Sequence, residues 1–361
     1  MIALASEFAP HCEVVADARD REGWLAERRK MLTASDLASV LGLSPWKPAV
    51  EIYAQKHDPS KPPPDEVDQT EAMYLGTRLE PWLAMELEHE TQCPVDGGRV
   101  LLRSKRWPWL GATLDREIVA TGGPLLATLG KALRGARGAA ELKASGAYAE
   151  KWSSPGPDGE PGIVPVIYRP QILGQLAVTG APFSVMGALF GGRLAFRWAA
   201  IERDDEEIAE LVGKCGQWWI DHVLADVPPM PDGSERASQV IASLYPELGG
   251  RIVLGDATLA DVQIALRAKR QAKALAKEAA EAEQRIKMAL GSATAATLPD
   301  GTEVSWPTRT RRAPVTDREE RLEATVRAML KRECPAKVAR AALEFSPATT
   351  FRQLSLPKGG E

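Results

Sequence analysis

The stretch Glu141-Leu142-Lys143 constrains this chain more than any other, because two charged side chains alternate with an apolar one. In a β-strand successive side chains point to opposite faces, so Glu141 and Lys143 would project together while Leu142 packs behind them. Asp115, which ends the stretch Gly111-Ala-Thr-Leu-Asp, would add a second carboxylate if it lay on the neighbouring strand. Two carboxylates beside an ammonium indicate a site for Mg²⁺, a hard cation that takes oxygen ligands and assists phosphodiester hydrolysis.

A second interpretation of this stretch stays open. Residues 129–144 are rich in alanine and leucine and could form a helix. Residues two apart on a helix do not face each other, so Glu141 and Lys143 would then be ordinary surface charges.

The bulk composition is that of a soluble globular protein. The chain has 361 residues, of which 44% are hydrophobic and 26% charged, so we expect one large core and an appendage. No apolar run approaches the roughly 20 residues that span a bilayer. The N-terminus lacks a basic segment followed by an apolar one, the pattern of a secretory signal. We therefore expect a cytoplasmic protein that makes no membrane contact.

The net charge does not decide whether the chain binds DNA. It is −4, but carboxylates of an active site count toward that total, and binding depends on local basic clusters. Such clusters lie at residues 28–30, 131–137 and 309–312.

The cysteines indicate neither a disulfide framework nor a compact zinc site. They are scattered and form no C-x-x-C pair. An iron–sulfur nuclease, which would use four cysteines, stays an alternative. The four are Cys12, Cys93, Cys215 and Cys334.

The N-terminal third predicts a loose arm over residues 1–20, followed by two short helices. Thr33 and Asp36 have the spacing of a capping box, so the second helix should begin near Ser35. Free amides and a hydroxyl at that helix start could bind an anion together with the Arg28 guanidinium. The alternative is two capped helices with a solvated arginine.

Glu80 falls where a helical pattern is broken. Residues 71–90 have apolar positions at helical spacing, interrupted by Gly76 and Pro81. Leu79, Pro81 and Trp82 surround Glu80 in sequence, so its carboxylate could point inward, although a glutamate on a helix is usually solvated. A further helix is predicted over residues 46–56, and Pro59–Asp65 reads as a stiff linker.

The central part of the chain predicts strands and one functional helix. Pro170 suits the first turn of a helix, which would place Gln171 and Gln175 on one face. Strands are predicted over residues 95–102, 107–119 and 164–168, and a hairpin over 184–201.

The C-terminal part predicts mainly helices. An acidic start at Asp204 favours a helix, and Pro228-Pro229 should close the domain. Residues 256–290 predict one long helix, which could pair with another helix as a coiled coil. Residues 297–306 predict a hairpin at Asp300-Gly301, and residues 317–332 another helix.

Together these pieces resemble the YqaJ-type viral recombinase family, the relatives of lambda exonuclease among the PD-(D/E)xK nucleases. The resemblance covers residues 20–235, and the long helix followed by Asp300-Gly301-x-Glu-Val-x-Trp306 also fits. The matching elements, in order, are Trp24-x₃-Arg28-x₄-Thr33-Ala34-Ser35-Asp36, Leu41-Gly42-x-Ser44-Pro45, Gly76-x₃-Glu80-Pro81, Gly111-Ala-Thr-Leu-Asp115, Glu141-Leu-Lys143, Tyr168-x₂-Gln171-x₃-Gln175-Leu-Ala-Val-Thr-Gly180 and Ile201-Glu-Arg-Asp204.

The resemblance implies an α/β fold with a PD-(D/E)xK restriction-endonuclease-like core, a twisted mixed sheet flanked by helices, and a C-terminal helical extension. It implies three segments: an arm over residues 1–20, a nuclease domain over 21–235 and an extension over 236–361.

The resemblance also implies residue roles. Asp115 and Glu141 would bind metal, with the Leu142 carbonyl and Glu80 as further ligands. Lys143 would position or deprotonate the attacking water. Gln171 and Gln175 would line the cleft, and Arg28 with Ser35 would hold a terminal 5′-phosphate.

The implied activity is a Mg²⁺-dependent exonuclease, with Mn²⁺ as a substitute, that resects the 5′ strand of linear duplex DNA for recombination. Its partners would be DNA ends, a single-strand annealing recombinase and further copies of the chain in a ring, in a bacterial or phage-infected cell. Two alternatives remain, a related endonuclease and a non-catalytic DNA-binding relative. Retention of Glu80, Asp115, Glu141 and Lys143 argues against the second.

Overall fold

The structure is a computed structural model, and it divides the chain into two compact units. The first is Met1–Leu248 and the second Gly249–Glu361. The residues described are 8–17, 19–58, 71–97, 100–145, 152–156, 162–190, 195–246, 249–311 and 349–352.

A five-stranded sheet forms the centre of the first unit. Its spatial order is β3-β6-β7-β8-β9, with β7 and β8 parallel and the other pairs antiparallel. The eight residues of β8 are apolar except for Ser184, and seven of the eight are buried, as expected of a central strand covered on both faces. The strands are β3 (Val95–Asp96), β6 (Arg116–Val119), β7 (Arg137–Ser145), β8 (Phe183–Phe190) and β9 (Ala195–Glu202).

A second sheet of four strands lies earlier in the chain. It has the order β1-β4-β5-β2, and only β2 and β5 run parallel. The strands are β1 (Cys12–Asp17), β2 (Leu32–Thr33), β4 (Val100–Ser104) and β5 (Leu110–Thr113).

The N-terminal segment corrects one sequence prediction. Within the expected loose arm, Cys12–Asp17 forms β1 and pairs with β4, and Phe8 is buried in the core. The sequence carried no strong periodic signal there, because this strand is defined by its distant partner rather than by its own pattern.

Helices cover both faces of the five-stranded sheet. On one face, α4 (Glu71–Thr91) and α5 (Gly123–Leu129) pack against β7, β8 and β9. On the other, α6 (Arg169–Thr179) packs against α7 (Asp205–Trp218) and both sheets. The predicted mixed sheet flanked by helices is confirmed, although its strands are divided between two sheets.

Three short helices precede this core: α1 (Arg21–Arg29), α2 (Leu37–Val40) and α3 (Ala49–Lys56). The predicted capping box is present, since Thr33 and Asp36 each bond the other's backbone or side chain across the 3₁₀ turn Ala34–Asp36. Gly42 ends this segment with a positive φ of 69°, a conformation that glycine adopts without strain.

Four other local predictions were wrong. Pro81 lies inside α4 without ending it, because buried Leu83 and Leu87 hold the helix on the sheet. Residues 107–119 form two strands in different sheets rather than one strand, and the strand predicted over residues 95–102 is likewise divided between β3 and β4 of different sheets. Residues 164–168 form a turn instead of a strand, because the Pro165 carbonyl accepts a hydrogen bond from the Tyr168 amide.

The first unit extends beyond the predicted boundary at residue 235. Helix α8 (Glu235–Leu244) packs on α3, with Val240 and Ala237 buried against Val50. Arg236 also binds both carboxylate oxygens of Glu51, at 2.8 and 3.0 Å. This contact between distant segments places α8 with the first unit.

The second unit contains the predicted long helix and hairpin. Helix α9 spans Asp256–Leu290, and β10 (Ala295–Thr297) pairs with β11 (Glu303–Ser305). A further pair joins β12 (Thr308–Arg311) to β13 (Thr349–Arg352). The linker Pro59–Asp65 and the helix predicted over residues 317–332 lie outside the described residues.

Among the described residues, no helix is long and apolar enough to cross a membrane. Cys12, Cys93 and Cys215 are buried free thiols.

Candidate active site

The site lies where β7 extends beyond its neighbour β6. The two strands pair from Val119 opposite Arg137 to Arg116 opposite Ala140, and there β6 begins. Asp115 directly precedes β6, and beyond this point β7 has no β6 residue to pair with. Asp115 Oδ2 instead accepts a hydrogen bond from the Leu142 amide at 3.0 Å. Because β6 begins here, Asp115 lies beside Glu141.

Side-chain alternation along β7 is as predicted. Leu142 packs into the apolar cluster beneath α4 and α5, whereas Glu141 and Lys143 project toward α6. The alternative that residues 129–144 form a helix is wrong for residues 137–144. Arg137–Ser145 is a strand that pairs with β8 through seven residue pairs.

Three donors surround the Glu141 carboxylate, which is almost completely buried. Lys143 Nζ and Gln171 Nε2 each lie 2.5 Å from Oε1, and Gln175 Nε2 lies 2.5 Å from Oε2. The two glutamines are one turn apart on α6, so they approach the carboxylate from the same side. Pro170 lies in the first turn of the helix, as predicted, and the helix ends at Thr179 with Gly180 as its C-cap.

Burial and neighbouring charges shift the pKa values of Asp115 and Lys143. Burial and the neighbouring charge of Glu141 raise the pKa of Asp115 to about 7. For Lys143 burial would lower the pKa, but the carboxylates of Glu141 and Asp115 outweigh it and the pKa lies above its ordinary value. Lys143 is therefore an ammonium at neutral pH, and 29% of its side chain reaches solvent.

Glu80 points inward as the sequence suggested, with only 6% of its surface exposed. Its Oε1 accepts a hydrogen bond from Arg116 Nη1 at 2.6 Å, and Arg116 also donates to the Asp115 carbonyl. Glu80 is close enough to Asp115 that its charge contributes to the raised pKa of that carboxyl. Arg116 joins the two acidic residues, and sequence reasoning did not identify it.

The donor set suits a divalent cation in its chemistry. In the part of the chain that the structure describes, no three His, Cys, Asp or Glu side chains converge closely enough to enclose an ion. Asp115 accepts only the Leu142 amide bond among the hydrogen bonds described, which leaves carboxylate lone pairs available. Gln175 Oε1 is buried and has no hydrogen-bond donor among the described residues. A bound cation would offset the repulsion between the adjacent carboxylates of Asp115 and Glu141, which contributes to the raised pKa of Asp115. It would also give Gln175 Oε1 a partner.

Arg28 and Ser35, the two residues predicted to bind an anion, are in contact with each other. Arg28 Nη2 donates to Ser35 Oγ at 2.7 Å and lies 3.5 Å from Asp36 Oδ1. The Trp24 ring lies under the guanidinium, 4.9 Å from its centre. Arg28 is thereby held at the start of the Ala34–Asp36 turn, and its Nε and Nη1 donate no hydrogen bond to a described residue.

Asp36 and Lys56 form a buried ion pair behind Arg28, which sequence reasoning missed. Lys56 Nζ lies 3.2 Å from Asp36 Oδ2 and donates to the Arg28 carbonyl at 2.7 Å. Burial alone would raise the pKa of Asp36, but Lys56 and Arg28 outweigh it and the pKa lies below its ordinary value. Asp36 was recognised only as a capping residue, and no local signal connected it to Lys56.

The two sites share a helix. Gly174 lies between the two glutamines of α6 and faces the Ala34–Asp36 turn. The close approach requires glycine, since a Cβ there would lie 2.9 Å from Ala34 Cβ and 2.7 Å from Leu37 Cδ1. One helix therefore positions the glutamines and packs against the turn that contains Ser35.

Comparison with known proteins gave consistent matches. The model of the YqaJ-like viral recombinase domain matches residues 23–182. An uncharacterized protein, YqaJ of Bacillus subtilis (strain 168), is 31% identical over 272 residues, which cover 74% of this chain and 77% of that protein.

Solved structures match at lower similarity. The alkaline exonuclease LHK-Exo of Laribacter hongkongensis is 20% identical, with a TM-score of 0.39 over 62% of this chain and 100% of that one. Its complex with dAMP matches with a TM-score of 0.38, the same identity and the same coverage.

Proposed function

This chain belongs to the family of YqaJ-like viral recombinase domains, and we propose that it is a metal-dependent nuclease that removes nucleotides from the 5′ end of duplex DNA. The observation that carries the proposal is the cluster of Asp115, Glu141 and Lys143, joined through α6 to an arginine-lined anion site. Mg²⁺ is the proposed cofactor and Mn²⁺ a substitute. Bound at Asp115 and Glu141, with Glu80 and the Leu142 carbonyl as further ligands, a divalent cation would supply Lewis-acid stabilisation of the charge that develops on the phosphate.

The residues of the chain have distinct roles in this reaction. Gln171 and Gln175 fix the orientation of the Glu141 carboxylate through their amide donors. Lys143, whose Nζ lies 2.5 Å from Glu141 Oε1, would position or deprotonate the attacking water.

The chemistry follows from this arrangement. A water oxygen attacks the phosphorus between the first and second nucleotides, and the bond to the 3′ oxygen of the first nucleotide breaks. The released nucleotide keeps its own 5′-phosphate, and the shortened strand carries a new one. The Arg28 and Ser35 site would accept that new terminal phosphate in the next cycle.

The proposed biological setting is recombination. Removal of the 5′ strand exposes a 3′ single strand, the substrate of an annealing protein. A ring-like homo-oligomer and such a partner remain proposals from the family resemblance.

One experiment separates the candidate functions. End-labelled linear duplex and a covalently closed circle are incubated with the protein, with and without Mg²⁺. We expect nucleotides to be released from the 5′ end of the linear duplex only when the metal is present. Cleavage of the closed circle would identify an endonuclease, and binding without hydrolysis in Mg²⁺ or Mn²⁺ would identify a DNA-binding relative.

A further inference from the structure

Arg116, the first residue of β6, is fixed beside the carboxylates of the candidate active site. Its Nη1 lies 2.6 Å from Glu80 Oε1 and also donates a hydrogen bond to the Asp115 carbonyl. Its backbone is paired with Ala140, the residue before Glu141 on β7. The side chain is mostly buried, and 17% of its surface is exposed. One nitrogen thus holds the guanidinium between Glu80 and the Asp115 backbone.

The other edge of the Arg116 guanidinium has no partner among the residues that the structure describes. Nε and Nη2 form this edge, and neither donates a hydrogen bond to a described residue. An arginine uses such an edge to bind a carboxylate or a phosphate through two parallel hydrogen bonds. Arg169 shows this interaction in the same protein, since its Nε and Nη2 each lie 2.5 Å from an oxygen of the Glu207 carboxylate. In Arg116 the corresponding edge is unused.

The unused edge lies next to Asp115. The guanidinium is planar and rigid, and its Nη1 already contacts the Asp115 backbone, so Nε and Nη2 are separated from that residue by no more than the width of the group. A phosphate held at Asp115 and Glu141 would therefore lie beside Arg116. The exposed part of the Arg116 side chain gives a ligand access to it.

The charge of the site calls for a donor at this position. Three carboxylates lie close together, and a phosphate adds a further negative charge. Lys143 contacts Glu141, and Arg116 contacts Glu80. During hydrolysis negative charge builds up on the non-bridging oxygens of the phosphate, and fixed donors that contact those oxygens lower the barrier. A guanidinium suits this task because it is always charged and offers two parallel donors.

We propose that Arg116 is a catalytic residue that binds a non-bridging oxygen of the scissile phosphate through Nε and Nη2, while Nη1 remains on Glu80. The guanidinium stays protonated throughout and forms no covalent bond, so its contribution is the stabilisation of charge. The proposal rests on the proposed function, because it assigns a role within the same hydrolysis.

A structural alternative is that Arg116 only compensates the buried carboxylate of Glu80. In that case a lysine, which keeps the positive charge, should support hydrolysis as well as arginine does. Under the proposal it should not, because a single ammonium cannot contact Glu80 and also give the phosphate two parallel donors. The two accounts therefore predict different rates for Arg116→Lys.

The first measurement is the single-turnover rate at saturating duplex and Mg²⁺. We expect Arg116→Lys and Arg116→Ala to lower it about ten- to a hundredfold, which is the contribution of hydrogen bonds to a charged group. Calorimetry without DNA measures Mg²⁺ binding, and Arg116→Lys should bind the metal as wild type does. A rate loss accounted for entirely by weaker metal binding would overturn the proposal.

The second measurement requires no turnover. Duplex affinity is measured in Ca²⁺ at several salt concentrations, where each phosphate contact contributes roughly 0.9 to the slope of log affinity against log salt concentration. Arg116→Ala should lower this slope by about one, whereas a purely structural role would leave it unchanged. If Arg116→Ala does not fold, the rate and the metal binding of Arg116→Lys decide the question.

Arg137→Ala is the matched control. Arg137 lies on β7 four residues before Glu141, about 13 Å along the strand. Its Nη1 lies 3.0 Å from Oε2 of the buried Glu117, and 24% of its side chain is exposed. We expect its loss to lower stability but to leave the single-turnover rate and the salt slope unchanged. An equal rate loss in both alanine variants would trace the effect to the sheet and not to the phosphate.

The outcomes separate this proposal from the proposed function. If the wild-type protein neither binds nor hydrolyses linear duplex, both fail. If it hydrolyses the duplex and Arg116→Lys does so at the wild-type rate, the catalytic role of Arg116 is wrong and the nuclease assignment stands. A salt slope that is unchanged in Arg116→Ala leads to the same conclusion.

Discussion

Gly174 of α6 lies so close to Ala34 that a Cβ on the glycine would come within 2.9 Å of the alanine Cβ. This contact joins the helix that orients the Glu141 carboxylate to the turn that holds Arg28. We expect Gly174→Ala to lower the free energy of unfolding by about 1 to 3 kcal/mol through overpacking. It should also lower nuclease activity, because α6 must shift.

Gly213→Ala in α7 is the control for that variant, to be compared by urea denaturation. Nothing lies within 4 Å of a Cβ at Gly213, and we expect stabilisation of up to about 1 kcal/mol from the better helix propensity of alanine. Equal stability of the two variants would show that the contact with Ala34 tolerates a methyl group.

Lys143→Ala should abolish hydrolysis but leave DNA binding largely intact, because one ammonium is a small part of a multi-phosphate interface. Lys143→Arg should also be inactive, since a planar guanidinium does not replace a compact ammonium 2.5 Å from Glu141. Single-turnover rates and a binding assay measure the two effects. A rate above about a tenth of wild type, a loss under roughly 1.4 kcal/mol, would argue against the proposed role.

Asp115→Ala and Glu141→Ala should each remove Mg²⁺ binding, as measured by calorimetry. Mn²⁺ should replace Mg²⁺ in the wild type, whereas Ca²⁺ should bind without turnover because its larger, irregular coordination misplaces the water. Glu206→Gln, a change at an exposed carboxylate of α7, is the control and should bind the metal normally. Unchanged affinity in either alanine variant would remove that residue from the ligand set.

A 5′-phosphorylated duplex should be degraded about ten- to a hundredfold faster than the same duplex with a 5′-hydroxyl, because charge-assisted hydrogen bonds contribute about 1.5 to 3 kcal/mol. Arg28→Ala should erase this preference by slowing only the phosphorylated substrate. The ratio of the two rates is the measurement, and it does not depend on the active fraction of the preparation. A wild-type ratio near one would assign Arg28 a structural role.

Asp36→Asn should destabilise the protein by about 3 to 5 kcal/mol at neutral pH, since it leaves Lys56 buried without a carboxylate. The pKa of Asp36 is depressed in the folded state, so its contribution is present above the unfolded value of about 4 and is lost as the pH falls below it. The stability difference between variant and wild type should therefore shrink in acid.

Urea denaturation between about pH 3 and 8 measures that difference. Glu206→Gln should differ little from wild type throughout, because Glu206 is exposed. A deficit in Asp36→Asn that stays constant down to the lowest pH would indicate altered packing instead of lost charge.

Local sequence patterns determined several helices and strands of this protein and the side chains that share a face on them. Alternation placed Glu141 and Lys143 on one face of β7, and helical spacing aligned Gln171 with Gln175. The capping box at Thr33 and Asp36 and the long helix α9 follow from the same short-range rules. These features depend on residues a few positions apart, whose relative directions the backbone geometry of a helix or strand sets.

Tertiary structure decided the contacts between distant segments. Cys12–Asp17 became a strand because β4 pairs with it, and α4 continues through Pro81 because its apolar side chains pack on the sheet. Arg116 with Glu80, Lys56 with Asp36, and Trp46 with Tyr168 meet only after folding. Charges and rings far apart in sequence carry no periodic signal of their meeting, because burial and sheet topology, rather than local propensity, bring them together.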